Sequence, residues 1–311
     1  MSRRFSIALA LLAVSIATAE AEIYPSRPIT IVVPYPAGGP TDTLARILTD
    51  HMSASLGQPI IIENVAGAAG SIGVGRVARA APDGYTVSIG HWNTHVVLGA
   101  TMDLPFDVLN DFEPVSLLAD TPIWMVATKA LPPANLLELV AWLKQRPGKA
   151  TAGTVGIGGA SDVTGAYFQN VTGTKFQFVP YRGSAPLNQD LIAGHIDLNL
   201  GMAAASYTLV RSGQIKAYAV MAKTRWWAAP EIATMEEDGI PGLYASFWHG
   251  LWLPKGTPKE IIAKLNSAVR AALADPMVQQ RFRDQGQEIA PPEQQTPQAL
   301  ATHQKAEIEK W

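Results

Sequence analysis

The feature that most constrains this chain is the segment IVVPYPAGGPTDTLAR, residues 31–46, in which a strand runs through a glycine-rich turn into a helix. Residues 31–33 are a β-branched run typical of a buried parallel strand. Gly38 and Gly39 permit a sharp turn and close approach of a ligand, and Pro40 suits the first helical position. Because a helix begins with free backbone N–H groups and the positive end of its dipole, the segment predicts a site for a small anion.

The alternation of strands and helices continues along the chain and predicts an α/β fold. It restarts at GIGGASDVTG, residues 156–165, which repeats the glycine-rich turn before a helix, with Ser161 as the predicted N-cap. Two such devices, one in each half, predict two lobes that face each other across a cleft, a preferred place for ligands. The apolar runs 112–118 and 124–128 predict two separate strands.

The first residues have the pattern of an export signal. Arg3 and Arg4 precede an apolar stretch, residues 7–17, and Ala19-Glu20-Ala21 matches an A-x-A cleavage site. We therefore expect residues 1–21 to be a cleaved signal peptide and the mature chain to begin at Glu22. No later segment has about 18 consecutive apolar residues, so we expect the mature chain to be soluble.

Composition excludes several classes of protein. The chain has no cysteine, which excludes disulfides, thiol catalysis, cysteine-based metal sites and the lipid anchor of a bacterial lipoprotein. With a formal net charge of −2 and no basic patch, we expect no nucleic-acid partner. An exported chain without cysteine fits the bacterial periplasm, and 48% apolar residues suffice for a substantial core.

Two motifs have a functional and a structural interpretation. Residues 73–78, GVGRVA, match a dinucleotide-binding pattern, but the following strand ends at His91 rather than at an acid for the ribose, so close helix packing is favoured. His91 and His95 have a spacing that suits a metal on a helix. No nearby carboxylate completes such a site, and we expect a loop that lines the cleft.

Three further side chains are candidates for contact with an anion. Ser161 lacks the G-x-S-x-G elbow of a nucleophile, so capping and ligand contact are favoured. Arg182 is either a partner for a carboxylate or a surface or hinge residue. Asp42 lies in the first turn of the first helix, where it either stabilises the helix dipole and cap or opposes an anion entering the same site, unless water or a ligand N–H or O–H lies between them.

Four segments together resemble the substrate-binding receptors of tripartite tricarboxylate transporters, also called Bug or TctC-like receptors. They are YPSRPITIVVPYPAGGPTD (residues 24–42), GSIGVGRVARAAPDGYT (70–86), VPYRGSAPLNQDLIAGHID (179–197) and WHGLWLPKGTP (248–258). The resemblance covers essentially the whole mature chain. His91, His95 and His249 depart from the residues expected in this family, and these positions are candidates for tuning the ligand.

The resemblance implies a two-lobed periplasmic binding protein of type II-like α/β fold, each lobe a mixed sheet flanked by helices. It implies that the loops at residues 37–42 and 158–161 hold one carboxylate through backbone N–H groups and water. It also implies a membrane permease with a large and a small subunit, no cofactor and no catalytic residue. Residues and resemblance together predict ligand contacts at Tyr35, Ala37, Gly38, Gly39, Thr41, Asp42, Ala68, Ser71, His91, Asn93, Gly158, Gly159, Ala160, Ser161, Arg182 and Gly201.

We therefore predict a monomeric receptor that closes about a hinge and binds a small carboxylate, with a dicarboxylate as the favoured ligand. Lobe one comprises residues 24–121 and 228–311, and lobe two residues 122–227. Two alternatives stay open: a periplasmic hydrolase or lyase acting on a small acid, and a binding protein that serves a two-component sensor.

Overall fold

The computed structural model describes residues 24–311, and the predicted signal peptide, residues 1–21, lies outside the described residues. The strands are β1 (Ile29–Val33), β2 (Ile60–Asn64), β3 (Thr86–His91), β4 (Phe112–Thr128), β5 (Thr151–Val155), β6 (Gln177–Tyr181), β7 (Leu198–Met202), β8 (Ile215–Val220), β9 (Ser246–Pro254) and β10 (Glu288–Ile289). The α-helices are α1 (Pro40–Leu56), α2 (Ser71–Ala78), α3 (Leu98–Thr101), α4 (Leu136–Gln145), α5 (Ala160–Thr172), α6 (Ser184–Ala193), α7 (Tyr207–Arg211), α8 (Lys259–Ala274), α9 (Pro276–Asp284) and α10 (Pro297–Lys310).

The strands form one mixed sheet in the order β2-β1-β3-β9-β4-β7-β5-β6, with β8 and β10 also paired to β4. Parallel pairing joins β1 to β2 and β3 in the first half, and β5 to β6 and β7 in the second. Because parallel neighbours require a crossover, each half contains a strand–helix–strand unit: β1-α1-β2 and β5-α5-β6. The carboxyl ends of β1 and β5 thus lead into the two glycine-rich loops.

Strand β4 is one continuous strand of 17 residues, where the sequence predicted two. Its first part pairs with β9 and its last part with β7 and β8, so partners continue along its whole length. Register shifts between Pro114 and Ser116, and again between Leu117 and Ala119, interrupt the pairing with β9. Such bulges bend a strand and increase its twist, which allows β4 to belong to both halves of the sheet.

The two halves are joined where β4 meets the start of β9. Ile123 N donates to Ala245 O, Ala245 N to Met221 O, and Met221 N to Ile123 O, so three chain segments meet there. Residues 228–245 lie partly against β8, since Met235 N donates to Val220 O and Ala229 packs in the core beside Trp226. The lobe limits given by the sequence stay a prediction.

Helix α1 shows how the local sequence builds the first half. Its apolar residues at helical spacing, Leu44, Ile47, Leu48 and Met52, are all buried in a core shared with β1 and α8. The helix ends at Gly57, whose φ of 70° allows its N–H to donate to Ser53 O, as the predicted glycine stop requires.

Candidate functional site

The loop between β1 and α1 is held in shape by the side chain of Asp42. Gly38 has a φ of 81°, a conformation that favours glycine, and its N–H donates to Asp42 Oδ2 at 2.8 Å. Gly39 is extended, with φ −79° and ψ 168°, and precedes Pro40, the first residue of the helix. The free N–H groups of the first helical turn therefore lie beside this loop.

The loop between β5 and α5 repeats this geometry. Gly158 has a φ of 72°, and its N–H donates to Asp162 Oδ2 at 2.6 Å. Gly159, with φ −81° and ψ 178°, takes the place that Gly39 has in the first loop. Ser161 is consequently the second residue of α5, and the predicted Ser161 N-cap is wrong. The turn needs an extended residue before the helix, and Gly159 occupies that position.

The carboxylate of Asp42 is buried and paired within its own loop, which favours the structural interpretation of this residue. The residue is 2% exposed and accepts hydrogen bonds from Arg46 Nε at 2.9 Å, Arg46 Nη2 at 3.0 Å and Asn64 Nδ2 at 3.0 Å. Burial alone would raise the pKa of Asp42, but the bonds from Arg46, Gly38 N–H and Asn64 together lower it. The charge of Asp42 is thus compensated locally, and the side chain shapes the loop.

A cavity of about 110 Å³ lies between the two loops and is lined from both halves of the sheet. Ten predicted contact residues line it: Tyr35, Ala37, Gly39, Thr41, His91, Asn93, Ala160, Ser161, Arg182 and Gly201. The structure therefore brings together residues separated by up to 166 positions, from 35 to 201. That these residues contact a ligand stays a prediction.

Six of the residues predicted to contact the ligand do not line the cavity. They are Gly38, Asp42, Ala68, Ser71, Gly158 and Gly159. Gly38, Gly158 and Gly159 determine the shape of the loops, for the reason given above. Ala68 and Ser71 belong to a turn behind the site, in which the carbonyl of Ala69 accepts hydrogen bonds from the side chains that do reach the cavity.

Asn93 links the two halves directly. Its Oδ1 accepts a hydrogen bond from Ala160 N at 2.6 Å, so a side chain after β3 caps the first turn of α5. Its Nδ2 donates to Tyr35 Oη at 2.8 Å and to Ala69 O at 2.8 Å. Thr101 Oγ1 donates to Gly158 O at 2.8 Å in a second contact. The two halves are thus closed on each other at this edge of the cavity.

The segment that carries Asn93 is helical, whereas the sequence predicted a loop. A π-helical turn, Asn93–Val97, leads into α3, and His91 N donates to Thr94 Oγ1 at its start. Val96 and Val97 are buried in the core, which explains why the segment folds back as a helix. No short-range pattern in the sequence marked this turn.

His91, His95 and His249, which depart from the residues expected in the family, are buried near one another. His91 lines the cavity, its ring stacked on Tyr35 at 4.9 Å between centroids, and His249 lies 5.3 Å from it. His95 instead stacks on Trp252 at 3.7 Å, inside the core. Burial lowers the pKa of His95 and of His249 to about 3, and burial, His249 and His95 lower that of His91 well below its usual value. All three rings are therefore neutral near pH 7.

Sequence reasoning missed thirteen residues that line the cavity, most of them from the second half of the sheet. These residues are Pro36, Pro40, Val155, Gly183, Ser184, Ala185, Pro186, Leu187, Asn188, Asn199, Met202, Ala205 and Phe247. Six of them, residues 183–188, follow Arg182 in the loop and first turns of α6, a third strand-to-helix connection at the same edge of the sheet. Asn199 offered a signal, because it is a polar residue within a buried strand and its Nδ2 donates to Gly153 O.

Arg182 is exposed at the cavity rim, and no carboxylate among residues 24–311 forms an ion pair with it.

Within those residues no group of three His, Asp or Glu side chains is arranged to hold a metal ion. None of the helices between residues 24 and 311 combines the length and apolarity needed to cross a bilayer.

Comparisons with known proteins agree with one another. Residues 44–310 match the family model "Tripartite tricarboxylate transporter family receptor". Protein BugT of Bordetella pertussis is 35% identical over 311 residues, covering 97% of this chain and 94% of BugT. Two solved structures from Rhodopseudomonas palustris have similar folds. MatC with bound malate has a TM-score of 0.89 and 37% identity, covering 93% of this chain and 98% of MatC. Rpa4515 with adipate has a TM-score of 0.87 and 33% identity, covering 93% of this chain and 96% of Rpa4515.

Proposed function

The chain belongs to the tripartite tricarboxylate transporter receptor family, and on that premise we propose that it binds a small dicarboxylate between its two lobes and delivers it to a membrane permease. The observation that carries the proposal is the pair of matching loops. Each has a glycine with positive φ whose N–H donates to an aspartate four residues later, and each begins a helix at the same cavity. Backbone N–H groups from both halves can thus hold one anion.

The choice of a dicarboxylate rests on the two similar structures, which have malate and adipate bound. The loops would hold one carboxylate. Arg182, at the rim and without an ion pair among residues 24–311, is suited to the other.

A receptor fits the side chains better than a hydrolase does. Ser161 is the candidate nucleophile at the cavity, and none of the imidazoles in residues 24–311 is bonded to its hydroxyl. A serine without a base lacks the arrangement that activates this nucleophile. We therefore propose that binding and release, without a chemical step, are what this site performs.

The proposed mechanism is closure about the segments that join the two halves. A ligand held by both loops binds the closed state more tightly than the open one and shifts the population toward it. The closed surface would then be recognised by a permease with a large and a small subunit. We further propose that the mature chain is a periplasmic monomer exported through the signal at residues 1–21.

The test is a binding screen followed by two loop variants. Purified mature protein is screened by thermal shift against mono-, di- and tricarboxylates including malate and adipate, and hits are measured by calorimetry. A ligand at 100 times its Kd is expected to stabilise the folded state by about 2.7 kcal/mol. Gly39→Asp places a carboxylate at the helix N-terminus and is expected to weaken binding at least about tenfold, with a smaller loss for Ser161→Ala.

Ala54→Asp is the matched control, because it adds the same charge to an exposed position near the other end of α1. Its affinity should equal that of the wild type. The receptor proposal is wrong if no carboxylate binds. The loop assignment is wrong if a cognate acid binds Gly39→Asp and Ser161→Ala as tightly as the wild type.

A further inference from the structure

The imidazole of His91 presents an N–H group, and no positive charge, to the cavity. Its Nδ1 lies 3.1 Å from Asn93 N, and a backbone N–H can only donate, so Nδ1 must be the unprotonated acceptor. The ring is neutral, and its single proton is therefore on Nε2. No group among residues 24–311 is hydrogen-bonded to Nε2, and the residue lines the cavity.

His249 determines how the hydroxyl of Thr41 is oriented. His249 Nε2 lies 3.2 Å from Thr41 Oγ1, whereas Nδ1 is buried without a partner among the described residues. A proton on Nδ1 would leave a buried N–H donor unpaired, which is rare and unfavourable. The proton is therefore on Nε2 and is donated to Thr41 Oγ1. The hydroxyl proton of Thr41, a residue that also lines the cavity, is then free for a ligand.

We propose that His91 Nε2–H and Thr41 Oγ1–H are a pair of uncharged donors for one carboxylate of the ligand, with His249 as the residue that positions the Thr41 hydroxyl. This inference rests on the proposed function and specifies which groups of lobe one contact the ligand. Arg46, a cation on the helix that begins at this loop, is already paired with Asp42. The carboxylate is thus recognised by helix N–H groups and neutral side-chain donors, which favour a group that only accepts hydrogen bonds.

The first experiment removes each donor while preserving shape. His91→Phe keeps an aromatic ring against Tyr35 but has no N–H, and Thr41→Val replaces the hydroxyl with a methyl. Calorimetry with malate and adipate is expected to show about 10- to 100-fold weaker binding for each variant, since each loses a hydrogen bond to a charged group. His91→Gln retains an N–H donor and is expected to recover part of the affinity lost in His91→Phe.

His95→Phe is the matched control for the histidine substitution. It removes an equally buried imidazole four residues away that stacks in the core and does not line the cavity. The affinity of this variant should stay within about threefold of the wild type, a difference of about 0.65 kcal/mol. Circular dichroism and thermal unfolding verify that each variant is folded before binding is measured.

The second experiment tests whether His249 acts through Thr41. His249→Phe is expected to weaken binding about five- to tenfold in the wild-type background and to have no further effect in the Thr41→Val background. A merely structural role for His249 would weaken binding equally in both backgrounds.

The possible outcomes separate this inference from the proposed function. If malate or adipate binds the wild type, equal affinity for His91→Phe and wild type overturns the donor pair and leaves the receptor function intact. Additive effects of His249→Phe and Thr41→Val overturn the positioning role. If neither malate, adipate nor any other screened carboxylate binds, the proposed function and this inference fail together.

Discussion

The two loop aspartates should differ in their contribution to stability, although they make the same backbone contact. Asp42 accepts four hydrogen bonds, from Gly38 N, from Asn64 and twice from Arg46. Asp162 accepts one, from Gly158 N, and its Oδ1 is buried without a partner in the described part of the chain. Substituting each with alanine compares a fully paired carboxylate with a half-paired one in the same local turn.

The expected magnitudes follow from these contacts. A hydrogen bond to a charged group contributes about 1.5 to 3 kcal/mol when it is buried. Arg46 is half-exposed and can be rehydrated, so its pair with Asp42 contributes about 1 kcal/mol or less. We therefore expect Asp42→Ala to reduce the free energy of unfolding by about 2 to 4 kcal/mol. Asp162→Ala should reduce it by about 1 kcal/mol, because removing an unpaired buried oxygen offsets part of the loss.

Urea unfolding monitored by tryptophan fluorescence measures both changes, with unchanged m-values as the check that the unfolded state is comparable. Asp42→Asn should lie between wild type and Asp42→Ala, because its amide oxygen can still accept from Gly38 N–H. A loss for Asp162→Ala that equals or exceeds the loss for Asp42→Ala would refute the reasoning.

Three further predictions concern pH and closure. The pKa of Asp42 is lowered on folding, so the contribution of its carboxylate to the free energy of unfolding is complete above about pH 5 and is lost as pH falls below about 4. The difference in stability between wild type and Asp42→Asn, measured by urea unfolding, should therefore shrink toward pH 2. Asn93→Ala removes the cap on Ala160 and should weaken adipate binding in calorimetry about tenfold. Gly156→Ala, at φ 83° and with its new Cβ 2.8 Å from Ala69 Cβ, should enlarge the radius of gyration in X-ray scattering, and an unchanged radius would contradict it.

Structural features that depend on residues close together in the chain could be predicted from the sequence. The strand–helix alternation, the glycine stop at Gly57 and the two glycine-rich loops depend on interactions within a few positions, which the printed order of residues contains. The compensation of Asp42 by Arg46 was also within reach, because the two residues are four apart on one helix face.

Features that join distant residues could not be predicted. The continuity of β4 depends on partners in β7, β8 and β9, which no local pattern in residues 112–128 specifies. The helical turn at Asn93–Val97 depends on burial of Val96 and Val97 in the common core. The side-chain amide oxygen of Asn93 in this turn then accepts a hydrogen bond from Ala160 N, 67 residues further along the chain.

The sequence by itself determined the fold class, the two glycine-rich loops and the family, because periodicity, glycine conformation and motif spacing are short-range properties. Only the tertiary structure decided which groups face the cavity. Thr41 and His249 are 208 residues apart, and the proton on His249 Nε2 is assigned by a neighbour that lies near it only in the folded chain. Hydrogen-bond direction and burial depend on that three-dimensional environment, and they decide whether a histidine offers a ligand a charge or a neutral N–H.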